Sequence, residues 1–175
     1  MDTQELRSVQ APLKKRYRED PSQALVTLKA TGDLGGEGIT CSVETGRALV
    51  EAGLHPATGG DGLSACSGDL LLEALVACAG VTLRAVGTAL EIPIQSGRVH
   101  AEGDLDFRGT LGVDREAPVG FRSIRLSFEV DADADQAELD KMLELTERYC
   151  VVFQTLANRP ELSVVIGGAP QFTAG

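Results

Sequence analysis

The chain has 175 residues, 43% of them apolar and 24% charged, a balance that fits a folded domain with a real core and excludes a disordered chain. Aromatics make up only 4% and Trp is absent, so that core has to be aliphatic. A net charge of −10 disfavours nonspecific attraction to nucleic-acid phosphate, and cysteines without CxxC spacing suit neither a structural zinc site nor a disulfide framework.

The start, Met1-Asp2-Thr3-Gln4-Glu5-Leu6, has neither the cationic nor the apolar region of a secretory signal, and the expectation is a cytoplasmic protein. From Thr3 to Arg18, Leu6, Val9, Leu13 and Tyr17 recur at helical spacing and predict a helix, with Pro12 inside it as a kink or a break. This helical segment, about residues 1–20, is expected to open a single domain spanning 1–175. Lys14, Lys15, Arg16 and Arg18 read as the cationic end of that helix, complementing its dipole. Ala24–Ala30 alternates like a strand, Gly32–Gly38 is a glycine-rich turn, and Ile39–Glu44 is the returning strand of a hairpin.

Gly53–Gly68 reads as loop. Ser67 can then cap a helix over about Gly68–Leu90, with Asp69 in its first turn where a carboxylate complements the dipole. The first half of that helix is apolar on all sides, the pattern of a helix buried all round by a sheet or a second subunit. Gly80 and Gly87 share a face and predict close approach of another helix. The apolar run Leu70–Val81 is broken by Glu73 and Gly80 and is too short to span a bilayer, so no membrane partner is expected.

Gly97–Gly109 and Phe121–Val130 read as two long strands, the second with Ile124, Leu126, Phe128 and Val130 in strict alternation. Asp135-x-x-Glu138 is a capping box opening a helix whose stripe carries Leu139, Met142, Leu143, Thr146, Tyr149, Cys150 and Phe153, and which ends before Pro160. Leu162–Ile166 is a last short strand. Strands grouped apart from helices predict an α+β fold with an antiparallel sheet and a long buried central helix. No glycine-rich loop leads a strand into a helix, so a nucleotide cofactor is not supported.

Cys78 lies mid-helix in Ala77-Cys78-Ala79-Gly80, and Cys150 lies on the apolar stripe of the later helix. Taken singly, each reads first as a small buried hydrophobe and only second as a reactive thiol. They are the two cysteines that both sit on helices facing the expected core. Cys66, in the loop beside the long helix, reads as inert packing ahead of an extra thiol, and His55 as a turn histidine ahead of a base or cation for the site; no role is assigned to Cys41.

The stretch from Gly60 to Cys78, GDGLSACSGDLLLEALVAC, resembles the OsmC/Ohr signature of a glycine-rich loop, an acidic residue, an LLLxAL run and a cysteine. Arg148-Tyr149-Cys150-Val151-Val152-Phe153-Gln154-Thr155-Leu156 is similar to that family's second cysteine segment. The resemblance covers roughly Ala24–Ile166. It implies an intertwined homodimer, with each site at the subunit interface. It also implies a two-cysteine peroxidase without cofactor: Cys78 attacks an organic hydroperoxide, Cys150 condenses with the sulfenic acid, and an external small or protein-bound dithiol resets the pair. Because the thiolate is the nucleophile and burial opposes it, a cation is expected near Cys78. Ohr-type members carry an Arg between the first two strands; Gly32–Gly38 has none, and Arg47 is the nearest substitute. Asp69 matches the family's buried Glu, one methylene shorter, and Val151 stands where Pro usually follows the second cysteine. The missing Arg leaves open a second reading, a small-molecule binding or redox-sensing module; the retained thiol pair favours the peroxidase.

Overall fold

A computed structural model describes residues 3–33, 42–43, 52–63, 65–164 and 166. Helix α1 (Thr3–Glu19) forms where the spacing predicts it, and Pro12 lies inside without dividing it. Tyr17 near its end is buried and its hydroxyl donates to the Ala57 carbonyl at 2.7 Å, tying α1 to the turn at 56–58. The Asp20 side chain accepts from Ser22 N at 3.1 Å and starts a single 3-10 turn, after which β1 (Leu25–Asp33) begins.

Strand β2 (Ser42–Val43) returns antiparallel to β1, with Gly32 opposite Val43. The expected hairpin is therefore present, although the rest of its second strand and its turn, 34–41, lie outside the described residues. The segment read as loop contains two short strands, β3 (Ala52–Gly53) and β4 (Ala65–Cys66), paired in parallel. Helix α2 (Ser67–Ala89) follows, then β5 (Ile94–Asp106), a short helix α3 (Phe107–Thr110) and β6 (Ser123–Ala132). The main sheet runs β2-β1-β5-β6 and is antiparallel at each pairing, with α2 lying across β1 and β5. Helices α4 (Gln136–Tyr149) and α5 (Val151–Ala157) pack against α2 and complete the α+β arrangement.

Leu72, Leu75, Val76, Ala79 and Leu83 of α2 are essentially fully buried together with Val99 and Ala101 of β5 and Met142 of α4. Each large aliphatic side chain taken out of water there contributes roughly 1.5–3 kcal/mol. The helix is nevertheless buried only in part: Leu71 is 37% and Val81 39% exposed. At 23 residues it is also long and apolar enough to cross a bilayer by length and composition, which the Leu70–Val81 run had not suggested. Its packing against β1, β5, α4 and α5 is that of a core helix.

Several boundaries differ from the sequence reading, each for a local reason. Cys66, not Ser67, holds the N-cap position of α2, and it makes no side-chain cap. β5 stops at Asp106 because the Asp106 carboxylate accepts from Arg108 N at 3.1 Å and pairs with the Arg108 guanidinium at 2.6 Å, which turns the chain into α3. Gly87 admits close approach of Ile94, whose Cδ1 would lie 2.9 Å from an added Cβ; the neighbour is the start of β5 and not a second helix. The helix expected from Asp135 to before Pro160 is two helices, broken at Cys150, whose φ of −71° and ψ of 107° are extended. Residues 161–164 carry no regular structure, so the expected last strand is not present among the described residues.

Candidate active site

Cys78 sits in the middle of α2, one turn beyond Leu75 on the stripe that carries Leu71 and Leu75 and one turn before Thr82. Cys150 sits in the break between α4 and α5 and is fully buried. The break has a direct consequence. Cys150 N donates to Thr146 O at 2.9 Å and closes α4, while Gln154 N donates to Cys150 O at 2.9 Å and opens α5. The amides of Val151, Val152 and Phe153 then have no carbonyl partner within α5, as at any helix start, and no side-chain oxygen caps them. The first amides of α5 lie near the two sulfurs and favour their ionised forms, Val152 and Val151 at Cys78, Phe153 and Val152 at Cys150.

The two thiols lie beside each other and differ in acidity. Burial alone would raise Cys78. The donors outweigh it: Val152 N–H, the Cys150 side chain, Val151 N–H and the Thr82 hydroxyl together bring the thiol below its ordinary value. Cys150 moves the other way, to about 11, chiefly through burial and further because it hydrogen-bonds to Cys78 and feels its charge. The directions of the two shifts make Cys78 the more acidic thiol of the pair. Among the described residues, the groups that lower Cys78 are uncharged.

A cavity of about 550 Å³ opens on the same stripe of α2, lined by Leu71, Leu75, Phe121, Leu126, Phe153 and Leu156 among others. Its walls are mostly aliphatic and aromatic, and α5 borders both the cavity and the thiol pair.

The other sequence candidates lie elsewhere. Asp69 is about 13 Å from Cys78 along the α2 axis and on the opposite side of the helix, by the rise and turn of an α-helix. Burial raises its carboxyl, and His55 nearby draws it back down. His55 is committed to its own turn: Nδ1 accepts from Ala57 N at 3.0 Å, and the ring stacks on Phe107 with centroids 5.0 Å apart. Cys66 is half-buried at the head of α2, about 18 Å along the axis from Cys78, too far for a disulfide between them within one chain. Arg47 and Cys41 lie outside the described residues. The sequence reading missed the amides of Val151 and Val152 and the hydroxyl of Thr82. Val151 was the available signal, because a residue with an N–H stands where proline would have none.

An antiparallel sheet carrying a long, partly buried helix, with a thiol pair held between that helix and two short C-terminal ones, defines an α+β thiol protein. The family model described as OsmC-like protein matches residues 59–165, and the chain belongs to that family. Two solved structures share the fold. One is an OsmC-like protein from Mycoplasma pneumoniae, 16% identical, with a TM-score of 0.54 over 77% of this chain and 86% of that one. The other is an OsmC-like hydroperoxide resistance protein from Jannaschia sp. CCS1, 16% identical, with a TM-score of 0.57 over 83% of this chain and 97% of that one. No curated protein matches the chain.

Proposed function

We propose that this protein is a homodimeric two-cysteine thiol peroxidase that reduces organic hydroperoxides through Cys78 and Cys150. The observation that carries the reading is the placement of buried Cys150, in the break between α4 and α5, beside the half-buried free thiol of Cys78 on α2, and the opposite shifts of the two thiols agree with it. The Cys78 thiolate attacks the distal oxygen of the hydroperoxide. An S–O bond forms, the O–O bond breaks, and the leaving alkoxide takes a proton to become an alcohol. Once Cys78 is a sulfenic acid, its negative charge no longer opposes ionisation of Cys150. The Cys150 sulfur then displaces water from the sulfenic acid to give the disulfide, and an external dithiol returns both thiols. No bound cofactor takes part.

The apolar cavity beside Leu75 and Phe153 favours a hydroperoxide with a hydrocarbon body over hydrogen peroxide. The name of the Jannaschia relative, a hydroperoxide resistance protein, is in keeping with that substrate class. A dimer is supported by α2 itself: Leu71 and Val81 lie exposed and Cys78 half-covered along one side of a helix otherwise in the core. A second copy over that side would cover them and complete each site. Arg47 and Asp69 stay candidates as secondary groups, Asp69 only from a partner copy.

The test is thiol titration before and after one equivalent of cumene hydroperoxide. Rapid loss of two thiols per chain is expected, with the product disulfide joining Cys78 and Cys150, and Cys78→Ser should abolish the loss. Retention of all thiols would instead favour a binding or sensing module.

A further inference from the structure

Thr82 lies one helical turn beyond Cys78, and its hydroxyl donates to the Cys78 carbonyl at 2.7 Å. That carbonyl does not depend on the hydroxyl. Inside α2 it already accepts the backbone N–H of Thr82, the residue four positions on. A threonine hydroxyl has a single proton to give, and a charge-assisted bond is roughly twice as strong as a neutral one. When the sulfur one turn below becomes an anion, it is the better acceptor. Turning the proton to it leaves no backbone group unsatisfied.

We propose that Thr82 is a donor to the reacting sulfur, its hydroxyl proton turning from the Cys78 carbonyl to the Cys78 thiolate as the thiolate forms. This rests on the reading above that Cys78 is the reacting thiol. Thr82 follows Cys78 by four residues on one stripe of α2, and a helical side chain leans back over the turn before it, which sets the hydroxyl above the Cys78 side chain. Among the described residues, the groups that favour the anion are neutral. The half-buried position of Thr82 limits competition from water for the same sulfur.

The other back-bonding threonine of α2 supplies a control. Thr88 donates to the Arg84 carbonyl at 2.8 Å in the same geometry, but it is exposed and nearly three turns from Cys78. The experiment measures the rate of iodoacetamide alkylation at Cys78 against pH, in the intact full-length protein, with the site read by peptide mass spectrometry. Iodoacetamide reports the thiolate without involving peroxide, because the sulfur forms a bond to carbon and iodide leaves. Thr82→Val should move the midpoint of the profile up by about one pH unit, which is about a tenfold lower alkylation rate at neutral pH. Thr82→Ser, which keeps the hydroxyl, should restore the profile, and Thr88→Val should leave it where the parent protein has it. An unmoved profile in Thr82→Val, an equal shift in Thr82→Ser, or an equal shift in Thr88→Val would each overturn the assignment. A shifted profile in a protein that consumes no hydroperoxide would sink the peroxidase reading and leave the role of Thr82 standing.

Discussion

Replacing Val151 with proline isolates one backbone donor from everything else at the site. Proline is well suited to the first position of a helix, where the missing N–H has no carbonyl partner. The residue before it must be extended, and Cys150 already is, at φ −71° and ψ 107°. The Val151 side chain is 71% exposed, so little packing is lost. The substitution should therefore leave stability unchanged or raise it slightly, by about 0.4–1 kcal/mol through the unfolded chain. What it removes is a donor to the Cys78 thiolate. A hydrogen bond to a charged group is worth about 1.5–3 kcal/mol; because Cys78 is half-exposed and water can partly substitute, the lower end applies. At 1.36 kcal/mol per unit, that raises the thiol by about one pH unit. Cys78 alkylation and first-turnover peroxide consumption should both fall about tenfold at pH 7, while the thermal midpoint holds. A variant with unchanged melting and unchanged Cys78 reactivity would refute the view that the start of α5 holds the thiolate.

Three further outcomes are expected. With Cys150→Ser, one attack on the hydroperoxide should still occur. The sulfenic acid would then lack its internal thiol, and intact-protein mass spectrometry should show two added oxygens on Cys78 as peroxide rises; a variant that turns over repeatedly would remove Cys150 from the resolving role. The two thiols should also titrate apart: Cys78 ionises below the usual thiol range, and Cys150 stays protonated until about pH 11. Peptide-level alkylation that found Cys150 reacting at lower pH than Cys78 would reverse their roles. Sedimentation at nanomolar concentration should give a dimer for the parent chain and a monomer for Val81→Glu, since a charge on that 39%-exposed side of α2 is harmless only while it faces water. A well-folded monomeric parent would refute the dimer.

Much of the framework is legible in local sequence because its causes are local. The Asp135–Glu138 box starts α4 through bonds of 2.9 Å in both directions, and both partners lie within one turn. The alternation of Ile124, Leu126, Phe128 and Val130 declares a strand with one inward side, and β6 bears it out. The spacing of apolar residues from Leu70 to Leu83 likewise suffices for a long helix bound for the core. Cys78 and Cys150 could be singled out as a pair by their sequence contexts and the family those contexts resemble.

Other features depended on contacts between segments far apart in the chain. An unbroken apolar stripe runs through Cys150, so nothing local announces the break there. The break exists where the chain buries Cys150 against α2 and turns the amides of 151–153 toward sulfur. The same is true of acidity. Sequence reasoning asked for a cation because burial penalises a thiolate, and a side-chain pattern cannot display backbone N–H groups as donors. Only the tertiary structure carries the first turn of α5 to the Cys78 sulfur, because an amide acts on a thiol only at a separation of a few ångströms and in the right direction, and neither is encoded at any single position.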